Sequence, residues 1–350
     1  MTVSRVINGS GYISHETRER VETAIADLGY VPNTLARSLR SKKTKTLALV
    51  LTDITNPFFT TLARGVEDAA SDQGFNVIFC NTDESEIKQE KYLIMLVQKR
   101  VDGVLLVPAC SLGRPACYLQ EHGIPVVVLD RRVPDCQVDS VRCDSVQGAF
   151  ELTRLLLDLG HERIAVLSGP TTVSTAVDRV IGCRKAAGEA GLGDDAVRAY
   201  HDEYTQEGGY RMAQKALAAN PRPTAFFAAN NFVAVGAHRT LREAGLRVPE
   251  DIAMVAFDDL PGGLVTEAFF TVVAQPAYEM GQVATRLLLD RLAGTGPTEC
   301  LEAILPAKVI IGRSSGLPVE SFFTEAVQNR TAGWDAAATE RRLDQPVGNQ

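Results

Sequence analysis

No stretch of this chain approaches the roughly 18 consecutive apolar residues that cross a bilayer as a helix, and its first eleven residues have neither the charged nor the apolar segment of a secretory leader. These absences argue for a cytoplasmic protein with no membrane partner. Cysteine is present but never in close pairs. Cys80, Cys110, Cys117, Cys136, Cys143, Cys183 and Cys300 are scattered and odd in number, without the spacing of a zinc site or a redox motif, so they read as reduced and mostly buried small hydrophobes. The five histidines show no metal spacing, no glycine-rich phosphate fingerprint follows a strand, and no nucleophile elbow occurs. Asp258-Asp259 is the nearest approach to a carboxylate pair, but neighbours at a strand end point apart. No catalytic residue, metal or cofactor is expected, and the chain is read as a non-enzyme.

What is there is unevenly spread. The net charge of −7 argues against nucleic acid, because duplex binding is driven largely by phosphate neutralisation. The first 46 residues nevertheless hold eight arginines and lysines against four carboxylates, a balance of +4 that leaves −11 for the remainder. A basic head on an acidic body fits a nucleic-acid-binding module attached to something else, or simply a solvated basic terminus.

The head reads as helical. Ser14 can cap a helix with Glu16 in its first turn and Val21, Ile25 and Leu28 at helical spacing, which Gly29 can end. After Tyr30-Val31-Pro32, Asn33 can cap a second short helix over 34–40. From Thr46 onward, short β-rich runs alternate with longer helical stretches: 46–51, 76–80, 103–107, 125–129, 163–167, 224–228 and 252–257. Alternation of this kind predicts parallel, doubly wound sheets, and uniformly apolar strands such as 47–51 and 126–129 predict helices on both faces. The strands are about twice what one such sheet usually holds, so two α/β lobes with a cleft between them are expected. Ligands of such sheets bind beyond the carboxyl ends of the strands. Polar and aromatic residues collect at those positions: 53–59, Asp130-Arg131-Arg132, 168–170, Asn230-Asn231 and Asp258-Asp259.

An ordered series of segments then resembles the lactose/galactose repressor family, from the first residues to about Gly316. It comprises Thr2-Val3-Ser4-Arg5-Val6-Ile7-Asn8, 28–33 leading to 36–39, Asp53-Ile54-Thr55-Asn56-Pro57-Phe58-Phe59, Leu159-Gly160-His161, Arg179 with Gly182, 248–251, 257–259 and Gln275-Pro276. The resemblance implies a small, partial all-α DNA-binding head over 1–46, carrying a helix-turn-helix remnant and a hinge helix. It implies a periplasmic-binding-protein-like body over 47–316 for effector binding and dimerisation. The lobes interleave as 47–147 with 276–303 and 148–275 with 304–316, and 317–350 reads as a disordered tail. The chain opens inside the second helix of the reader, Met1 standing where the family has a polar recognition residue. An upstream start, or a product that binds DNA poorly, would follow.

By the same resemblance, Arg5 would reach base edges, and Thr2, Ser4 and Asn8 would reach phosphates or edges. Tyr30, Asn33 and Ala36 are further DNA-binding positions, and the segment from Asn33 resembles the family's hinge helix, where Leu39 of each partner wedges into the minor groove. Outside that context Arg5 reads as a solvated residue on a frayed helix, and Leu39 as a helix packing on the body. In the cleft, Phe58 and Phe59 would wall a sugar or base ring, Arg179 would grip hydroxyls or a carboxylate with its fork, and Tyr204 would stack from the second lobe. Asp258 would accept from hydroxyl or amino groups, with Thr175, Asn230 and Gln275 at further polar positions. The bland readings are two core phenylalanines, a surface ion pair for Arg179 and a loop cap for Asp258. Two departures bear on the ligand: Asn231 stands where the family has Asp, and Ala256 where it has Gly.

The expected function is a repressor that binds a near-palindromic duplex operator as a homodimer, controlled by a small polar effector, with a sugar or sugar derivative ahead of a purine. A sugar-binding protein without effective DNA binding is the alternative. A transporter's solute-binding protein shares the body's expected fold but needs a secretory leader and has no use for the basic head.

Overall fold

A computed structural model describes Val3, Arg5, Val6 and residues 12–29, 43–259 and 269–317. The head helix α1 (His15–Asp27) starts where a cap is available: the Thr17 amide donates to Ser14 Oγ at 3.4 Å. It stops where Gly29 turns left-handed at φ +54°. None of its residues is buried. The second short helix and the tail expected from the sequence lie outside the described residues.

The body is two six-stranded sheets. The first has the order β11-β5-β4-β3-β1-β2, built from β1 (Thr46–Leu51), β2 (Asn76–Asn81), β3 (Gly103–Leu106), β4 (Val126–Leu129), β5 (Asp139–Cys143) and β11 (Glu302–Leu305), all parallel. The second repeats that order with β12 (Lys308–Ile310), β10 (Thr271–Ala274), β9 (Ala253–Phe257), β8 (Ala225–Ala228), β6 (Ile164–Ser168) and β7 (Val197–His201), β12 alone being antiparallel to its neighbour. The seven strands read from the sequence are present; β5, β7, β10, β11 and β12 are additional. Most of these five lie at or next to a sheet edge, and several carry half-exposed or polar residues that escape a search for apolar runs.

Why the central strands are apolar throughout is visible in the core. Leu47, Leu49 and Leu51 of β1 point into one cluster with Leu62 and Met280, whereas Ala48 and Val50 point into another with Leu93 and Leu119. Period-two alternation with helices on both sides buries both sets. The second sheet does the same, Val166 and Phe227 facing one layer, Leu167 and Phe226 the other. Each fully buried leucine, valine, phenylalanine or methionine among these contributes roughly 1.5–3 kcal/mol of transfer free energy.

The helix that follows the first strand is α2 (Pro57–Ser71) in the first lobe and α6 (Ser174–Glu189), after β6, in the second. The chain crosses between lobes three times. It leaves the first after β5, at Asp144, because α5 (Ser145–Asp158) packs on α6 and β9. It returns at Gln275-Pro276 so that α9 (Ala277–Ala293) can lie on α2. That approach is backbone-close: a Cβ on Gly65 would sit 2.1 Å from Tyr278 O, and one on Gly281 2.3 Å from Leu62 O. The last crossing, Pro306-Ala307, separates β11 from β12. The sequence expectation placed the first and third crossings at 147/148 and 303/304. The difference arises because Ser145 already starts a second-lobe helix, while Ile304 and Leu305 pair with β5.

Candidate effector cleft and DNA-reading head

The carboxyl ends of both sheets face a common cavity of about 500 Å³. All eight cleft residues singled out in the sequence line it: Phe58, Phe59, Thr175, Arg179, Tyr204, Asn230, Asp258 and Gln275. Asp130, Arg131 and Asn56, read from the sequence only as residues at strand ends, line it as well, and so does Glu84, which the sequence reading did not single out.

The first lobe's aromatic wall begins at a helix start. Asn56 caps α2, its Oδ1 accepting from the Phe58 amide at 3.0 Å, and Pro57 takes the first helical position, where its missing N–H costs nothing. Phe58 and Phe59 meet edge-to-face at 4.9 Å between centroids. Both belong to the lobe's core as well as to the cavity lining.

Directly after β4, Asp130 adopts φ +65°, a left-handed conformation that costs an L-residue on the order of 1 kcal/mol and that aspartate tolerates better than most. Arg131 beside it is 2% exposed. Its fork donates to both carboxylate oxygens of Glu84 at 2.7 and 2.6 Å and to the carbonyls of Pro108 and Ala109 at 2.8 and 2.7 Å. Burial pushes the Asp130 carboxyl up to about 6, against the pull of Arg131 and Arg179.

The second lobe repeats the theme with other parts. Asp258 follows β9, the strand topologically equivalent to β4, and takes φ +69°. Its partners are Gln275, which donates from Nε2 to Oδ1 at 2.6 Å, and Arg179, whose Nη1 lies 3.8 Å from Oδ2. Arg179 reaches over from α6, donates to the Ala229 carbonyl and lies 3.8 Å above the Phe257 ring. It is 3% exposed, so this is not the surface ion pair weighed from the sequence. Burial raises the Asp258 carboxyl, with Arg179 and Gln275 opposing.

Asn230 caps α8 (Asn231–Glu243), Oδ1 accepting from the Val233 amide at 2.8 Å, which leaves its amide nitrogen for the cavity. The Tyr204 ring lies flat against Gly169, where an added Cβ would stand 2.3 Å away. Its hydroxyl, raised by burial above the ordinary phenol range, has Thr175 as a polar neighbour beyond normal hydrogen-bond length.

Among the described residues, six buried side-chain polar atoms lack a hydrogen-bond partner. Four of them, Arg131 Nε, Arg179 Nε, Tyr204 Oη and Gln275 Oε1, belong to residues lining the cavity. Each such atom costs on the order of 1–3 kcal/mol until something meets it. Their convergence is the chemical signature of a polar ligand site.

The lobes also touch each other. Asn231 Nδ2 donates to Asn56 Oδ1 at 2.9 Å, Ser111 N donates to Thr172 O at 3.0 Å, and Ser174 N to Ser111 Oγ at 2.7 Å. Arg132 N donates to Ser174 Oγ at 2.9 Å, and its guanidinium pairs with Asp178. Asn231, read from the sequence only as a lost negative charge, is a cross-lobe tie.

In the head, Arg5 is helical and exposed, with Val6 buried beside it. Thr2, Ser4, Asn8, Tyr30, Asn33, Ala36 and Leu39 lie outside the described residues.

Comparison with known proteins agrees with this geometry. Residues 44–305 match the family model of periplasmic binding proteins and the sugar-binding domain of the LacI family, and residues 1–33 that of bacterial regulatory proteins of the lacI family. The ribose operon repressor of Halalkalibacterium halodurans is 37% identical over 311 residues, covering 89% of this chain and 91% of the relative. A structure of the transcriptional regulator CelR in complex with cellobiose superposes with a TM-score of 0.72 at 35% identity, over 89% of this chain and 94% of that one. The lac repressor dimer bound to operator and the anti-inducer ONPF superposes at 0.79 with 25% identity, over 91% and 95%. The relatives are transcriptional regulators, and among the described residues no helix is long and apolar enough to cross a membrane. A regulatory head joined to a two-lobed body with a polar cleft is the architecture of the LacI family of bacterial transcriptional regulators, and this chain belongs to it.

Proposed function

We propose that this protein is a cytoplasmic repressor that binds a near-palindromic operator as a homodimer and releases it when a sugar occupies the cleft. The observation that carries the choice of effector is the set of buried atoms without partners facing one cavity beside two buried carboxylates. A sugar hydroxyl donates and accepts at once. It can give its proton to Asp130 or Asp258 and take one from Arg131 Nε or Arg179 Nε, meeting both needs with a single group. Tyr204 Oη and Gln275 Oε1 meet further hydroxyls, Asn230 and Thr175 offer polar edges, and Phe58 and Phe59 cover an apolar ring face. The chemistry is binding; no bond in the effector needs to break.

Because cleft residues come from both lobes, an occupant biases the cross-lobe ties at Asn56–Asn231 and Arg132–Asp178. Through them it biases the segment 33–40 that joins body to head, so ligand and operator affinities are coupled reciprocally. In the head, Arg5 pairs with a guanine edge, Thr2, Ser4 and Asn8 reach phosphates or base edges, and Tyr30, Asn33, Ala36 and Leu39 are further duplex contacts, Leu39 in the minor groove.

The relatives' names make ribose and cellobiose the first sugars to test. In a gel-shift titration of the full-length protein on its upstream region, the active sugar releases the duplex. Arg5→Ala weakens discrimination at one base pair by roughly 1–3 kcal/mol without changing sugar affinity. A sugar that binds the cleft tightly yet leaves operator affinity untouched would sink the proposal.

A further inference from the structure

Seven cysteines without a close pair in sequence leave one close pair in space. Cys117 lies on α4 (Arg114–Glu121) and Cys136 in the loop between β4 and β5. That loop is clamped to α4 on both sides of the thiols. The Gly113 amide donates to Asp135 Oδ1 at 2.8 Å, and Gln120 Nε2 donates to the Gln137 carbonyl at 2.8 Å. Cys136 itself reaches across the helix face: its Cβ lies 2.5 Å from where a Cβ on Gly113 would stand, and its Sγ donates to Gln120 Oε1 at 3.5 Å. Residues 113, 117 and 120 share one helical face, so Cys117 falls between those two contacts, which puts its thiol beside that of Cys136. Both are half-buried, and the exposed Cys300 is a further neighbour of Cys136.

The placement of the pair gives it a consequence. The segment just before α4 carries Ser111, and the segment just before Cys136 carries Arg132; these residues make the first lobe's ties to Thr172, Ser174 and Asp178. We propose that Cys117 and Cys136 are a reversible disulfide site, oxidised by hydrogen peroxide, that locks together the two segments holding the cleft closed. In the first step the Cys117 thiolate attacks the peroxide oxygen and becomes a sulfenic acid as hydroxide leaves. In the second, Cys136 displaces that oxygen as water, its proton leaving with it, so one peroxide and two thiols give one disulfide and two waters. Burial and the adjoining Cys117 thiol push Cys136 up to about 12, which suits the resolving partner rather than the first nucleophile.

The test uses the full-length protein in native buffer with hydrogen peroxide as oxidant, thiol alkylation, and peptide mapping without reductant. A Cys117–Cys136 linkage, two hydrogens lighter and reversed by dithiothreitol, is expected in the wild type and in Cys300→Ser, and is lost in Cys136→Ser. Amide exchange over 109–113 and 131–135 slows on oxidation in the wild type and not in Cys136→Ser. The site is refuted if both thiols stay alkylatable while Cys300 alone oxidises, if Cys136 pairs with Cys300 instead, or if zinc protects the three thiols and no disulfide forms. A linkage that leaves exchange in both segments unchanged refutes the lock.

Discussion

The two lobes are near-repeats in topology, and each aims an aspartate and an arginine at the same cavity, yet they hold those groups differently. In the first lobe Arg131 is consumed by its own scaffold: both terminal nitrogens are engaged by Glu84 and two backbone carbonyls, and Glu84 is 37% exposed. In the second lobe Arg179 stands as far from its buried aspartate as Arg131 Nε does from Asp130, 3.8 Å in both, but it lies over the Phe257 ring with one backbone carbonyl and no second carboxylate to hold its fork. The first arrangement is a rigid bracket that water can still reach. The second is a buried charge pair waiting for a polar occupant, and desolvation makes such a pair expensive to break from one side.

That difference predicts unequal costs. Arg179→Ala leaves Asp258 buried with only Gln275 opposite. We expect a loss of about 3–5 kcal/mol in urea unfolding and no response of operator binding to sugar. Arg131→Ala frees Glu84 to turn to solvent, strands two carbonyls and leaves Asp130 with Arg179 as its cationic partner, for a smaller loss of about 1–3 kcal/mol. Equal destabilisation by the two changes would erase the contrast.

The next effect is a pH window. Burial holds the folded Asp130 carboxyl at about 6, above its ordinary value near 3.9. A carboxyl raised in this way favours folding fully below the ordinary value, and that contribution is lost as pH rises through 6. Asp130→Asn therefore matches the wild type near pH 4 and becomes relatively more stable by roughly 2–3 kcal/mol above pH 7. Since a sugar hydroxyl donates to the ionised form, wild-type sugar affinity rises from pH 5 to 7 in calorimetry, and a flat profile would remove Asp130 from the site. The smallest effect is on the ties. Arg132 is partly exposed, so water takes its place beside the buried Asp178, and Arg132→Ala costs about 1 kcal/mol in stability while weakening sugar binding several-fold, a split that melting curves beside calorimetry would separate.

The sequence was most legible where burial is complete. Strands such as 47–51 and 126–129 are apolar on both faces because helices cover both, and they stood out at once. β5, with its alternating burial, and the short β11 and β12 did not, because a half-exposed strand of three to five residues looks like a loop. The cleft residues were found through a family resemblance and their position at strand ends. Glu84, which brackets Arg131 from 47 residues away, was missed, and so was the tie from Asn231 to Asn56 across 175 residues. No local pattern encodes a partner that distant.

What the sequence determined by itself was a set of local commitments: the cap at Ser14 and the stop at Gly29, the strand periodicity, the basic head and acidic body, and a polar residue at the end of each inner strand. Tertiary structure alone decided which of those polar residues meet, which atoms are left without partners, and that Cys117 and Cys136 lie beside one another. The physical reason is range. Backbone preference and hydrophobic period act over a few residues, whereas desolvation, ion pairing and thiol contact depend on neighbours that only chain crossings bring together.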